Sequence, residues 1–384
     1  MKGYIFISNS SKPTEEERKS REKVRITNFS KPCLEKALEL GYKVFYGVNR
    51  DNPEELESEL PIYFYDSHTY RSILDLKNNY MAYKNTIKLI KKENIDVIHC
   101  NTPVGGIIGR ICGKKGNVNK VIYTVHGFHF YKGAPLINRT IFKLSEWIMA
   151  HWTDVIVTIN QEDYEAAKKF HLKKNGKVYK INGVGIDTQE YGISSQERKR
   201  IRNKLGFKEE DFICIAVGDL VKNKNITTLI RAISLLKEEN IHFLVCGKGP
   251  EEKNLRQLAK NLGVENKVHF MGYRKDIKNL LGISDCFLMS SKREGLSRSV
   301  MEAMSTGIPC IVSDIRGNVD LIENNENGFL CEPNDYINFA HAIVKIQNDK
   351  NIVNKFRINN LKKIKKYDSK IVKKQIGSIY EEIL

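Results

Sequence analysis

The stretch "SSKREGLSRSVMEAMSTGIPCIVSD", residues 290 to 314, sets Glu294 and Glu302 eight positions apart between two apolar runs. Glu294 stands in a Gly/Ser loop, Glu302 in a helical stretch. Such carboxylates can accept hydrogen bonds from the vicinal hydroxyls of a sugar. The backbone N–H groups of Gly295, Leu296 and Ser297, where the helix opens, can hold a phosphate. Glu302 also has a plainer reading. Ser299 and Glu302 have the S-x-x-E form of a capping box, and Gly307 and Pro309 mark the helix end. That reading leaves Glu294 unexplained.

Other candidates are weaker when taken singly. His126 in "YTVHGFHF" ends an apolar strand just before Gly127, where a histidine is usually structural. His129 follows three residues on, but no third ligand has metal spacing, so no metal is expected. Gly247 and Gly249 in "CGKGP" follow a buried strand and can be a tight turn. Gly105 and Gly106 in "NTPVGG" open a helix, either for close packing on a strand or as a loop facing a ligand.

The elements that carry these residues alternate. Apolar runs at "GYIFIS", "YKVFYGV", "DVIHC", "KVIYTVHG" and "DVIVTIN" are separated by amphipathic stretches. A second set follows at "FICIAVG", "IHFLVCG", "KVHFMG", "CFLMSS" and "PCIVSD". In "NITTLIRAISLLKEE", Ile226, Leu229, Ile230, Ile233 and Leu236 recur at helical spacing. Continuously apolar strands alternating with helices imply parallel sheets covered on both faces, with ligands at the carboxyl ends of the strands. The expected fold is therefore α/β, with two doubly wound, Rossmann-like domains over residues 1–190 and 191–367. The last helical piece, 368–384, has no strand of its own and is expected to pack back on the first domain.

Composition narrows the partners. The chain has 384 residues, enough for two cores, and 41% of them are hydrophobic. The net charge of +17 allows nucleic acid, an anionic membrane surface or phosphorylated ligands. The basic residues are dispersed and no nucleic-acid motif is present, so nucleic acid is not expected. There is no apolar run long enough to span a bilayer, and the first residues turn polar too early for a signal peptide. A cytoplasmic protein is expected. The eight cysteines form no CxxC pair and read as small buried hydrophobes.

The ordered set "HCNTPVGGIIGRICGKK", "VHGFHFYKGAP", "VTINQEDY", "INGVGIDT", "VGDLVKNKN", "CGKGP", "FMGYRKDI" and "REGLSRSVMEAMSTGIPCIVSDIRGNVDLI" resembles the retaining GT-B glycosyltransferases of family 4. The resemblance extends over nearly the whole chain and is nearest to bacterial enzymes of capsule and exopolysaccharide assembly. It implies two domains facing a central cleft. It further implies a nucleotide-diphosphate sugar donor, a UDP-hexose or UDP-N-acetylhexosamine, and a lipid-linked saccharide acceptor.

By that resemblance Glu302 binds the donor ribose, Glu294 the donor sugar and Lys224 the diphosphate. Gly247 and Gly249 form the turn beneath the base, and Arg274 lies near it. His126 stands close to the donor sugar on the acceptor side, with Gly105, Gly106 and Gly127 nearby. Family members usually carry an arginine where this chain has Asp219. Lys222, Arg293 and Arg298 are the cations that can replace it, and Arg293 adjoins Glu294. No D-x-D triplet occurs, which fits a metal-independent reaction without a cofactor. The related enzymes work at the inner leaflet. The segment "KGAPLINRTIFKLSEWIMAHW" mixes Lys132, Arg139 and Lys143 with Phe142, Leu144, Trp147, Ile148 and Trp152. It reads either as a peripheral membrane contact or as a buried helix with a basic rim. The alternative function on the same fold is a nucleotide-sugar 2-epimerase.

Overall fold

The computed structural model describes residues 1–101, 103–131 and 133–384. The chain divides into two compact units. The first comprises Met1–Gly185 and Lys370–Leu384, the second Ile186–Ser369. The division thus falls a few residues before position 190, and the C-terminal helix belongs to the first unit.

The first unit is built on seven strands: β1 (Gly3–Ile7), β2 (Lys43–Val48), β3 (Tyr63–Asp66), β4 (Ile95–Asn101), β5 (Lys120–Val125), β6 (Val155–Thr158) and β7 (Lys177–Lys180). Their order is β3-β2-β1-β4-β5-β6-β7, and neighbouring strands run parallel. Helices cover both faces, so the central strands are apolar along their length. Tyr4, Ile5, Phe6 and Ile7 are all inaccessible. The helix Ser369–Ile383 closes one face, where the Tyr380 hydroxyl lies 2.6 Å from both the Tyr4 hydroxyl and His99 Nδ1.

The second unit has six strands: β8 (Phe212–Val217), β9 (Ile241–Cys246), β10 (Val268–Gly272), β11 (Cys286–Met289), β12 (Cys310–Ser313) and β13 (Gly328–Cys331). They are ordered β10-β9-β8-β11-β12-β13, again parallel throughout. The helix Ile226–Ser234 buries Ile226, Leu229, Ile230 and Ile233, the apolar stripe read from its spacing. All eight cysteines are buried and unpaired.

In both sheets the strand order reverses beside the first strand. Ligands of doubly wound sheets bind where the loops diverge at that point. In the second unit the diverging loops follow β8 and β11. They carry Lys224 and Glu294.

Candidate functional site

The loop after β8 is held by the turn after β9 through backbone bonds. Gly218 N donates to Cys246 O at 2.9 Å, and Leu220 N to Lys248 O at 2.9 Å. The approach is so close that a Cβ on Gly247 would lie 1.9 Å from Gly218 O. One on Gly249 would lie 2.4 Å from Leu220 O. These glycines therefore let two loops touch, and they shape the path of the chain that bears Lys224.

The loop after β11 is fixed just as firmly. Lys292 N donates to Asn223 O at 2.8 Å, and Asn223 Nδ2 donates to Arg293 O at 2.9 Å. Ser290 Oγ donates to Asn225 O at 2.8 Å. From the far side, Arg316 Nε donates to Glu294 O at 3.2 Å, and Gly317 packs against Gly295. Side chain and main chain thus reach Glu294 from two neighbouring loops. Lys224 Nζ donates to Glu294 Oε1 at 2.7 Å. Both side chains are partly accessible, at 23% and 14%, so a ligand can reach a preformed cation–carboxylate pair.

The expected capping box does not form. The helix runs Arg298–Thr306, and its N-cap is Ser297, whose hydroxyl accepts from Val300 N. Ser299 is already helical, since the tethered loop delivers the chain into the helix two residues earlier. Glu302 is left one turn inside the helix, where its Oε1 accepts from Arg298 Nε at 2.9 Å. It is free of a capping role. Gly307 ends the helix in the left-handed conformation, as its position implied. Tyr191 stands beside Glu302: burial first, and then that carboxylate, raises its phenol pKa. Tyr191 and Arg316 were not singled out from the sequence. Tyr191 lies in a polar connecting stretch, and Arg316 acts through a backbone oxygen, which no side-chain pattern reports.

Asp219 is exposed, and among the described residues its carboxylate makes no ion pair. Of the cations that can replace the missing arginine, Arg298 is engaged with Glu302. Among the described residues the guanidinium of Arg293 and the ammonium of Lys222 have no ion-pair partner. Arg274 chelates Asp276, with Nε–Oδ1 at 2.8 Å and Nη2–Oδ2 at 2.6 Å, and that bond raises its pKa.

In the first unit His126 follows β5, with Phe29 edge-on to its ring at 4.8 Å. Burial lowers its pKa to about 4, so it is neutral near pH 7. The loop beyond it is pinned by Asp163, which accepts from Phe128 N at 3.3 Å, and Gly127 has φ 133°. Gly105 and Gly106 are buried in the first turn of the helix Pro103–Lys115. A Cβ on Gly106 would meet the Tyr123 ring at 2.3 Å, so this glycine serves close packing of helix on strand. Thr102 of that motif lies outside the described residues. Among the described residues no group of three His, Cys, Asp or Glu is placed to hold a metal ion.

The segment after residue 132 is not a buried helix. Leu136 is 76% exposed, and Ile137, Ile141, Leu144, Trp147 and Ile148 are exposed with it, while Phe142 and Trp152 are half-buried. Its one acid, Glu146, turns inward onto the fully buried Arg110 at 2.6 Å, leaving Arg139 and Lys143 on the outer side. Lys132 lies outside the described residues. No helix among the described residues is long and apolar enough to cross a membrane.

The architecture recurs in solved proteins. A crystal structure of Anabaena Alr3699/HepE in complex with UDP and glucose superimposes with a TM-score of 0.77 at 19% identity, each chain covered in full. Two parallel Rossmann-like units of this kind define the GT-B fold. The family model "Glycosyl transferases group 1" matches residues 197–363, and "Glycosyl transferase 4-like" matches residues 27–179. EpsD of Bacillus subtilis (strain 168), named as a glycosyltransferase, is 35% identical over 79% of this chain and 80% of its own length. An Escherichia coli relative, the UDP-Gal:alpha-D-GlcNAc-diphosphoundecaprenol alpha-1,3-galactosyltransferase, is 33% identical over 74% of each chain. The chain belongs to the group 1 family of GT-B glycosyltransferases.

Proposed function

We propose that the chain transfers a hexose or N-acetylhexosamine from a UDP-sugar to a lipid-linked saccharide, with retention of configuration, in the synthesis of a cell-surface polysaccharide. The observation that carries this reading is the Lys224–Glu294 pair at the strand switch of the second unit, with Glu302 one turn inside the helix that follows. The Escherichia coli relative is named for a UDP-sugar donor and a diphospholipid acceptor. The Anabaena neighbour binds UDP and glucose.

Glu302 accepts from the ribose hydroxyls and Glu294 from the hydroxyls of the donor sugar. Lys224, aided by Arg293 and the N–H groups of Gly295 to Ser297, neutralises the diphosphate as it leaves. No metal or cofactor is required for this. As the bond from C1 to the diphosphate oxygen breaks, the acceptor oxygen joins C1 on the same face. The departing phosphate takes the acceptor's proton. The protein's contribution is mainly positioning and charge stabilisation. Neutral His126 orders the acceptor side without carrying a charge. The apolar and basic surface around Leu136–Ile148 rests on an anionic leaflet, where the acceptor is found.

The test is transfer from a panel of UDP-sugars to a diphospholipid-linked N-acetylglucosamine, with the anomeric configuration of the product read by NMR. An α-linked product from an α-donor is expected. An inverted product refutes retention. Conversion of UDP-N-acetylglucosamine to its 2-epimer without an acceptor establishes the epimerase instead. Salt-sensitive sedimentation with phosphatidylglycerol vesicles tests the membrane contact, and no binding at low salt refutes it.

A further inference from the structure

The loops after β1, β2 and β3 line an open cavity of about 670 Å³ in the first unit, at the carboxyl ends of the strands. Its walls are held in place. Asn49 Nδ2 donates to Ser10 Oγ at 2.9 Å and to Thr69 O at 2.8 Å, Thr69 N donates to Asn49 Oδ1 at 2.9 Å, and Arg71 N donates to Ser10 O at 3.0 Å. Lys12, Arg25, Arg50 and Arg71 line it, against a single carboxylate, Glu17. That carboxylate is committed to a cap, accepting from Thr14 N at 2.7 Å. Arg18, next to Glu17, is matched by Asp51 and Asp66 at 2.6 and 2.8 Å. By contrast, among the described residues the side chains of Lys12, Arg25 and Arg71 have no hydrogen-bond or ion-pair partner. Arg50 spends one nitrogen on Ser20 O and Glu22 O.

Four like charges around one concavity repel one another until an anion enters. Hydroxyl groups of Ser8, Ser11 and Thr27 also line it and can supply donors, beside the apolar Pro13, Val24 and Val48. Doubly wound sheets receive ligands at this edge. We infer that this cavity binds a phosphate or diphosphate group carried by the acceptor, through Lys12, Arg25, Arg50 and Arg71. Naming the acceptor as the carrier rests on the transferase reading above. The anion site itself does not.

The test uses the full chain saturated with UDP, so that the donor site is filled. Inorganic pyrophosphate is titrated in one arm and a diphospholipid-linked N-acetylglucosamine in detergent micelles in the other. Arg25 and Arg71 are both exposed, so R25A/R71A should keep the wild-type melting temperature. It should bind at least about tenfold more weakly in both arms, and R25K/R71K, which keeps the charges, should recover most of that loss. Equal binding by R25A/R71A and wild type in both arms overturns the site. A loss confined to pyrophosphate overturns its assignment to the acceptor. A chain that binds no UDP in the control titration sinks the transferase reading while the pyrophosphate arm still decides the anion site.

Discussion

Replacing Lys224 by alanine separates a structural ion pair from a ligand-binding one. The pair is short, at 2.7 Å, and only partly accessible. A charge-assisted hydrogen bond in such a place contributes about 1.5–3 kcal/mol. Its loop keeps the bonds from Asn223 and Arg316 when Lys224 is gone, so the fold should persist. A loss of about 2 kcal/mol should lower the melting temperature of a domain this size by roughly 4–8 °C. If Lys224 also meets the donor diphosphate, UDP affinity falls by a further factor of about 30, or 2 kcal/mol. Glu294→Gln gives the contrast. It should cost similar stability, yet leave UDP affinity unchanged or higher, because Lys224 is then released for the phosphates. Calorimetric titration of UDP alongside thermal unfolding of both variants and the double variant measures the two effects separately. A Lys224→Ala variant that loses stability but binds UDP as tightly as wild type would show Lys224 to be structural only.

Three further outcomes are expected. Gly247→Ala drives a Cβ to 1.9 Å from Gly218 O and should cost more than about 3 kcal/mol in urea unfolding, whereas Gly263→Ala, in open space at φ 68°, should cost only about 1 kcal/mol. Glu146→Leu strands the buried Arg110 guanidinium and should cost about 3–5 kcal/mol, much of it restored by adding Arg110→Met, as read from thermal melts. His99, buried against Tyr4, Tyr380 and Thr124, has its pKa lowered to about 3 by burial. Between pH 6.5 and 4 the unfolded chain takes up a proton there that the native chain refuses. Stability should thus fall with pH by about 1.4 kcal/mol per unit from this group. His99→Gln should flatten that slope in urea midpoints taken at pH 7, 5.5 and 4.5.

Among the described residues ten of the thirteen strands were legible as apolar runs, and nine of those ten are central parallel strands, buried on both faces. β3, with only "YFYD", β7, with "KVYK", and β13, with "GFLC", are four residues long and lie at sheet edges. Each pairs on one side only, so none needs a long apolar run. At the site, Lys224 and Glu294 could be named from motif order, but not their 2.7 Å contact, which depends on two loops meeting across the β8–β11 switch. The misplaced cap has a local cause. S-x-x-E at 299–302 is a sound cap pattern, but Ser297 takes the role because the tethered Glu294 loop sets where the helix begins. The exposure of Leu136 to Ile148 was equally out of reach. A stripe of Leu, Ile and Trp looks the same in sequence whether a core or a membrane covers it.

The central claim is that the loops after β8 and β11, with Glu302, form the donor nucleotide site. A crystal structure of the chain with UDP tests it most directly. Ribose hydroxyls are expected within about 3.5 Å of the Glu302 carboxylate, with the diphosphate reached by Lys224 Nζ. UDP bound elsewhere, or bound here with Glu302 and Lys224 both beyond hydrogen-bond reach, would contradict it.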